Sequence, residues 1–427
     1  MDTILEKFFA PERWEYAIEK GVGKDIRKAD LIRLTEPDTR IALYRAMRDG
    51  QYEIAPPHTA LIPKDTPGEF RTVYVNEPTD RVVLSIANDL LFDLMPEMVH
   101  RNCKSYLRGV GCADVVMECS KTMQGLVGKH CKWIGFKSDL SKYFDRVPIE
   151  YIDRAFDRVE EKYGHSVLID VLRKYYHSDW YFDTDGNLCQ QYQSLKQGCS
   201  VASWLADVIL YDVDEIMSQR AWYKRYSDDM LCLSEHPEDD LAILKSELEK
   251  MGMSLNPKKV ELLDGKHWFK FLGFSLKGGK RSLSSTRIKT FQKEIESRTI
   301  RKTKKKNNIN IDSVIRSVMR YLYVGDGRHS WATGVLRVIN VKDDLEAMNN
   351  FVMDAIRATI TGRKSIGGLG YVSGGTEGCI ARGKGRHVKA NRQKTGDDIG
   401  GYLSLGCMRK ALLTSRAAFD TMARCGA

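Results

Sequence analysis

Apolar positions along the chain follow two rhythms, one of period about 3.6 and one of period 2. Val201, Trp204, Leu205, Val208, Ile209, Val213 and Ile216 recur at helical spacing and predict one helix starting just after Gly198. Leu241 to Met251, Arg287 to Arg301, Ile311 to Val324 and Leu345 to Ile360 predict further helices, as does the run through Ile86, Leu90, Leu91 and Leu94 after Pro78. Tyr151 to Gln193 reads as helix, then a hairpin about the turn Asp183 to Asn187. Trp14, Tyr16, Ala17, Ile26, Leu31, Ile32, Leu34 and Leu43 keep a looser helical period that Pro56-Pro57 ends. The other rhythm marks strands. Leu61-Ile62-Pro63-Lys64 and Phe70 to Val75 flank a turn at Asp65-Thr66-Pro67-Gly68. Ala221 to Tyr226 and Met230 to Leu233 flank Ser227-Asp228-Asp229, a second hairpin. An apolar run from Trp133 to Phe136 delivers Asp139 to its end. Helices and hairpins interspersed in this way predict an α+β fold.

Composition narrows the class. A chain of 427 residues can hold two or three domains, and 42% hydrophobic content suffices for packed cores. No run of 18 apolar residues predicts a membrane span. Met1 to Lys7 lacks the order of a signal peptide. Ten scattered Cys without a Cys-x-x-Cys pair argue against zinc and for free thiols in a reducing cytoplasm. The net charge of +10 is uneven. From Arg281 onward there are 28 Lys+Arg against 12 Asp+Glu, leaving 39 against 45 before it. A basic last third beside a mildly acidic remainder suits a phosphate backbone led to an acidic site. A solubility charge is the plainer alternative.

Candidate chemistry centres on Asp228-Asp229. Adjacent carboxylates in a tight turn repel each other and resist burial unless a cation sits between them. Taken alone, an ordinary surface turn explains them equally well. Asp139 changes that, since a strand ending in Asp can lie beside a hairpin presenting Asp-Asp. Oxygen ligands of this kind suit Mg²⁺, and two ions about 4 Å apart serve phosphoryl transfer. Phosphoryl transfer needs mainly positioning and charge neutralisation from a protein.

Here the residues carry a resemblance. Tyr226-Ser227-Asp228-Asp229 resembles the Tyr-x-Asp-Asp box of reverse transcriptases, and Asp139 to Asp145 resembles their Asp-x-x-x-x-Phe-Asp box. Further boxes follow in the family's order from about Pro63 to Gly273. The resemblance implies a right-hand polymerase with fingers, an antiparallel palm sheet and a helical thumb. It implies RNA-directed DNA synthesis with Mg²⁺ and dNTPs, an RNA template and a DNA product. Asp139, Asp228 and Asp229 would carry the metals, with Leu140 lending a backbone ligand. Lys64 and Arg71, on the arms of the first hairpin, would grip the triphosphate; Phe144 would exclude a 2′-hydroxyl. Gln197 and Gly198 would approach the nucleotide, and Lys259, in a Leu-Asn-x-x-Lys box, would screen the leaving pyrophosphate. Arg81, Arg108, Tyr226 and the Phe271-Leu272-Gly273 hairpin would meet primer or template. Each has a plainer reading: Arg108 as a helix cap, Phe144 and the aromatics about Phe271 as core, Lys64 and Lys259 as solvated charges.

Ala202-Ser203 replaces the family's usual Ser-Pro, and Trp204-Leu205-Ala206 resembles abortive-infection and defence-associated bacterial enzymes rather than intron maturases. That implies a bacterial origin, antiviral defence and an associated non-coding RNA. Retained Gln197-Gly198 speaks against the diversity-generating group. The expected layout is 1–60, an N-terminal helical extension; 61–280, fingers and palm; 281–360, a helical basic thumb; and 361–427, a Gly-rich basic segment ending in a helix. Two rival functions stay open: template-independent or protein-primed synthesis on the same palm, and a non-catalytic, maturase-like RNA-binding protein. No membrane partner is expected, and a homo-oligomer stays open.

Overall fold

The computed structural model describes residues 2–22, 26–64, 68–127, 132–300, 310–325, 330–360, 369–371, 380–382 and 404–405. The chain divides into two units, Met1–Arg108 with Phe136–Cys232 and His236–Glu261, and Gly109–Gly135 with Leu233–Glu235 and Leu262–Ala427.

The first unit opens with four helices, α1 (Thr3–Phe8), α2 (Pro11–Lys20), α3 (Lys28–Thr35) and α4 (Pro37–Arg48). Pro enters α2 and α4 in the first turn, where its missing N–H costs nothing. The hairpin expected about Asp65–Pro67 is β1 (His58–Pro63) and β2 (Phe70–Val75), paired antiparallel with Ile62 opposite Arg71. Helix α5 (Pro78–Leu94) follows, then α6 (Cys112–Leu126), which belongs to the second unit. Strand β3 (Gly135–Asp139) ends on Asp139, as the apolar run predicts. The chain continues through α7 (Tyr143–Arg146), α8 (Ile149–Tyr163), α9 (Val167–His177), β4 (Trp180–Phe182) and β5 (Leu188–Gln190). What reads as one helix from Tyr151 is thus two, parted at Gly164, whose φ of 81° terminates α8.

The helix expected over 201–216 is also two, α10 (Val201–Val208) and α11 (Tyr211–Arg220). The reason is tertiary. Buried Arg225 donates to the carbonyls of Ala206 and Asp207 at 2.9 and 2.7 Å, capping the last turn of α10. Strands β6 (Trp222–Tyr226) and β7 (Asp229–Leu233) form the second expected hairpin, followed by α12 (Pro237–Lys250) and β8 (Glu261–Leu263). The sheets run β2-β1-β4-β5 and β6-β7-β3-β8. The buried face of α5 packs on α10, and Trp204 of α10 stacks on Phe156 of α8 at 6.1 Å.

The second unit holds an antiparallel sheet, β11-β10-β9, from β9 (Phe269–Phe271), β10 (Phe274–Lys277) and β11 (Lys280–Leu283). Helices α13 (Ser285–Arg298), α14 (Ile311–Met319) and α15 (Lys342–Ile360) match the expected ones, with π-helical turns at Arg320–Val324 and Ala332–Leu336. Phe291 centres their core, 4.7 Å from Trp331 and 6.4 Å from Phe351. Within the Gly-rich stretch, β12 (Leu369–Tyr371) and β13 (Ile380–Arg382) pair antiparallel, two strands not read from the sequence. The basic run Arg301 to Lys306 and the helix expected from Tyr402 lie outside the described residues, save 404–405. No described helix is long and apolar enough to cross a membrane.

Candidate active site

The Asp-Asp turn is built by its neighbours as much as by itself. Ser227 sits at φ 58°, a left-handed conformation that costs a non-glycine residue energy and must be held from outside. Its N–H donates to Ser105 Oγ at 2.9 Å, and its carbonyl accepts from Arg225 Nη1 at 3.2 Å. The tight β6–β7 turn then sets Asp228 in the loop and Asp229 at the start of β7. Strand β3 lies next to β7, and the N–H of Leu140 donates to the carbonyl of Asp228 at 3.2 Å. Asp139, at the end of β3, therefore lies at the same end of the sheet as the Asp-Asp pair, on the neighbouring inner strand.

The electrostatics follow from that convergence. Burial, then the charges of Asp228 and Asp139, push the Asp229 carboxyl up to about 6. Burial and Asp139 raise Asp228 in the same direction. Lys259 Nζ donates to Asp139 Oδ2 at 2.5 Å. Burial opposes the charge on Lys259, but the bond to Asp139 and the carboxylates nearby raise its pKa overall. Three carboxylates whose repulsion Lys259 only partly offsets are hard oxygen donors of the kind a divalent cation takes, although their oxygens do not all lie within 4.8 Å of one another.

Other expected site residues gather in the same unit. Burial raises Asp228 and Asp145 alike, and nearby positive charge partly offsets the rise, from Arg71 at Asp228 and from Lys142, Arg146, Lys64 and Arg71 at Asp145. Lys64 also faces Glu69 at 3.7 Å across the hairpin turn. Phe144 is half-buried rather than core, and its carbonyl accepts from Leu195 N at 3.1 Å, beside the Gln197–Gly198 loop. Tyr226, half-buried, closes β6.

The remaining expected site residues have partners of their own in the fold. Gly198 is needed for the close approach of β2: a Cβ there would stand 2.8 Å from the Tyr74 carbonyl, at φ +108°. The Gln197 carbonyl accepts from Tyr74 N at 2.7 Å, so this backbone is occupied by β2. Arg108 lies 3.6 Å from Asp89 and 3.9 Å from Asp93, and over the Tyr16 ring at 5.1 Å, bound to α5 and α2 rather than capping a helix. Beside Arg81, half-buried on α5, Asp80 accepts from Tyr52 Oη at 2.6 Å and Ala55 N at 3.0 Å, bracing the loop before β1. Phe271-Leu272-Gly273 lies in the second unit as a two-residue hairpin, with Leu272 at φ 48° and Gly273 at φ 79°.

Sequence reasoning missed Ser105, Asp207, Asp214 and Arg225, all wholly buried about the turn. A signal was present. Asp207 is the one charged residue between Val201 and Leu210, in an otherwise mostly apolar run.

Comparison with known proteins follows the same residues. The family described as reverse transcriptase (RNA-dependent DNA polymerase) matches residues 62–276. A curated relative, the putative COX1/OXI3 intron 2 protein of Saccharomyces cerevisiae, is 24% identical over 184 residues; the match covers 42% of this chain and 20% of the relative. Among solved structures, apo telomerase from Candida tropicalis aligns with a TM-score of 0.46 at 12% identity, covering 73% of this chain and 58% of that one. Telomerase from Candida albicans, in complex with a TWJ fragment of telomeric RNA, aligns at 0.39 and 14% identity, covering 76% and 64%. The chain thus spans less than two thirds of each. The family match itself extends over half of the 427 residues, from the β1–β2 hairpin to the strand after Gly273, and on that ground the chain belongs to the reverse transcriptase family.

Proposed function

We propose that this protein is an RNA-directed DNA polymerase that adds dNTPs to a primer 3′-hydroxyl in an α+β right-hand fold. The observation that supports the reading is the placement of Asp139 beside Asp228 and Asp229 at one end of the sheet, on adjacent inner strands, with Asp229 pushed up to about 6. Asp139, Asp228 and Asp229, with the Leu140 carbonyl, are the residues that would hold Mg²⁺. Bound there, the metal supplies charge neutralisation for the attacking hydroxyl and the leaving pyrophosphate.

The chain's own side chains do the rest. Arg71 and Lys64 bring positive charge to the mouth of an acidic site, where a triphosphate would otherwise be repelled. Half-buried Phe144 is of a size to exclude a 2′-hydroxyl by contact. Lys259 is placed to exchange Asp139 for a phosphate oxygen as charge develops. The basic residues after Arg281 suit a duplex held by its phosphates.

The test is incorporation of labelled dNTP on a DNA primer annealed to an RNA template, with and without chelator. Product that requires both the template and divalent metal is expected. Product that survives prior destruction of all RNA would instead support template-independent or protein-primed synthesis. A second reading has one observation behind it: the curated relative is named as an intron protein. On that reading the protein binds RNA without polymerising, and RNA binding with no incorporation by purified protein would favour it. The defence setting, with a non-coding RNA as partner, rests on the resemblance at Trp204-Leu205-Ala206. Trp204 itself is a core residue stacked on Phe156. Loss of protection against phage when Asp228 is changed to Asn is the outcome that setting requires.

A further inference from the structure

The strand-turn pair that presents Asp228 and Asp229 is clamped from a segment more than a hundred residues upstream. Asn102–Lys104 runs beside β6 as an added edge: Arg225 N donates to Asn102 O at 3.0 Å, and Lys104 N to Arg225 O at 2.9 Å. The next residue, Ser105, takes the N–H of Ser227 on its Oγ at 2.9 Å and donates its own proton to Asp207 Oδ1. Tyr106 Oη then lies 3.3 Å from Ser227 Oγ. Below, Arg225 makes a two-pronged bond to Asp214, at 2.8 and 2.6 Å, and Tyr223 Oη donates to the same carboxylate at 3.1 Å.

Two features separate this arrangement from ordinary core packing. Asp207 is wholly buried, yet its second oxygen has no hydrogen-bond partner among the described residues. A carboxylate desolvated at that cost and serving a single hydroxyl fixes that hydroxyl's direction. The hydroxyl in turn accepts from the one residue of the turn, Ser227, that holds a left-handed backbone next to Asp228. Elsewhere in the molecule, the Glu160, His165 and Asp170 group could bring three ligand atoms together, but Glu160 already serves Ser166 and Arg173.

We propose that Ser105, oriented by Asp207, is a positioning residue for the metal-holding turn: it fixes the Ser227 backbone and thereby the directions of Asp228 and Asp229. The proposal rests on the polymerase reading of those aspartates. Outer partners of metal ligands act on affinity through such orientation.

The experiment uses full-length protein and Mn²⁺ alone as the probe, read by the loss of the free aquo-ion's electron paramagnetic resonance signal. Arg225 is a poor target, because breaking its buried pair with Asp214 threatens folding outright. Ser105→Ala removes one oxygen. It is expected to weaken Mn²⁺ binding about tenfold and to raise the Mg²⁺ concentration for half-maximal incorporation by a similar factor, with KM for dNTP changed less than about twofold. Ser105→Thr, which keeps the hydroxyl, is expected to stay within about threefold of the parent. Mn²⁺ binding by Ser105→Ala within about twofold of the parent overturns the proposal, while Asp228→Asn still abolishes binding. If Asp228→Asn also binds Mn²⁺ as the parent does, the metal-site reading fails and the proposal falls with it.

Discussion

At Asp229, desolvation and like charge act in one direction, and the consequence is a stability that depends on pH. Its carboxyl ionises at about 6 in the fold, against 3.8 ordinarily. A raised carboxylate pKa means the folded state holds the proton more tightly. Its stabilising contribution is therefore present below about pH 4 and lost as pH rises through about 6. In chelator, denaturant melts should show Asp229→Asn more stable than the parent at about pH 7.5, by on the order of 1–3 kcal/mol, and the gap should close near about pH 4. Saturating Mg²⁺ should narrow the gap at neutral pH by stabilising the parent alone. Catalysis moves the opposite way: Asp139→Asn or Asp228→Asn should lower incorporation by at least about a hundredfold, since a ligand is worth no less than its outer partners. Gly198→Ala makes a separate point. The new Cβ meets the backbone of Tyr74 at a φ that side chains resist, so melting should reveal a loss of about 1–3 kcal/mol. The Gln-Gly pair was legible as a motif; that its glycine serves β2 was not, because nothing in the local sequence names the strand that approaches it.

Elements show a similar division between what is local and what is imposed. Hairpins and amphipathic helices were legible because period and turn chemistry are properties of neighbouring residues. The break between α10 and α11 was not, because the group that caps α10 is Arg225, some seventeen residues beyond its last turn. The β9–β10 hairpin carries its own tension: Leu272 occupies the first left-handed position of a two-residue turn that favours Asn-Gly. Leu272→Asn should stabilise the fold by on the order of 0.5–1 kcal/mol, read as a higher denaturation midpoint. If the hairpin supports a primer end, the same variant should release primer sooner, seen as shorter products per binding event. A unit's elements are also tied at their ends. Asp2 caps α1 through Leu5 N at 2.9 Å, and its other oxygen accepts from Ser166 Oγ and Val167 N at 3.0 and 2.8 Å, at the start of α9. Asp2→Ala should cost about 1–2 kcal/mol in the same melts. A residue near the start of the chain thus holds two helices more than 160 positions apart, which no helix pattern reveals.

For the molecule as a whole, charge is the property read most directly from the sequence. The excess of 28 basic over 12 acidic residues from Arg281 onward predicts binding to an RNA–DNA duplex that is dominated by phosphate contacts. Raising salt from about 50 to about 200 mM should weaken that binding by roughly a thousandfold, measured by fluorescence anisotropy; a loss of only a few fold would mean the basic residues are not at the duplex. By itself the sequence determined the alternation of helix and hairpin, the order of the boxes from the first hairpin to the turn before β10, and three aspartates as candidates for one chemical group. These follow from periodicity and residue type, which are local. Only the tertiary structure decided how the Asp-Asp turn is held, that Gly198 yields to β2, and that Arg108 is spent on Asp89 and Asp93. Each of those depends on a partner distant along the chain, and a hydrogen bond or a steric contact has no sequence signature until folding brings its two halves together.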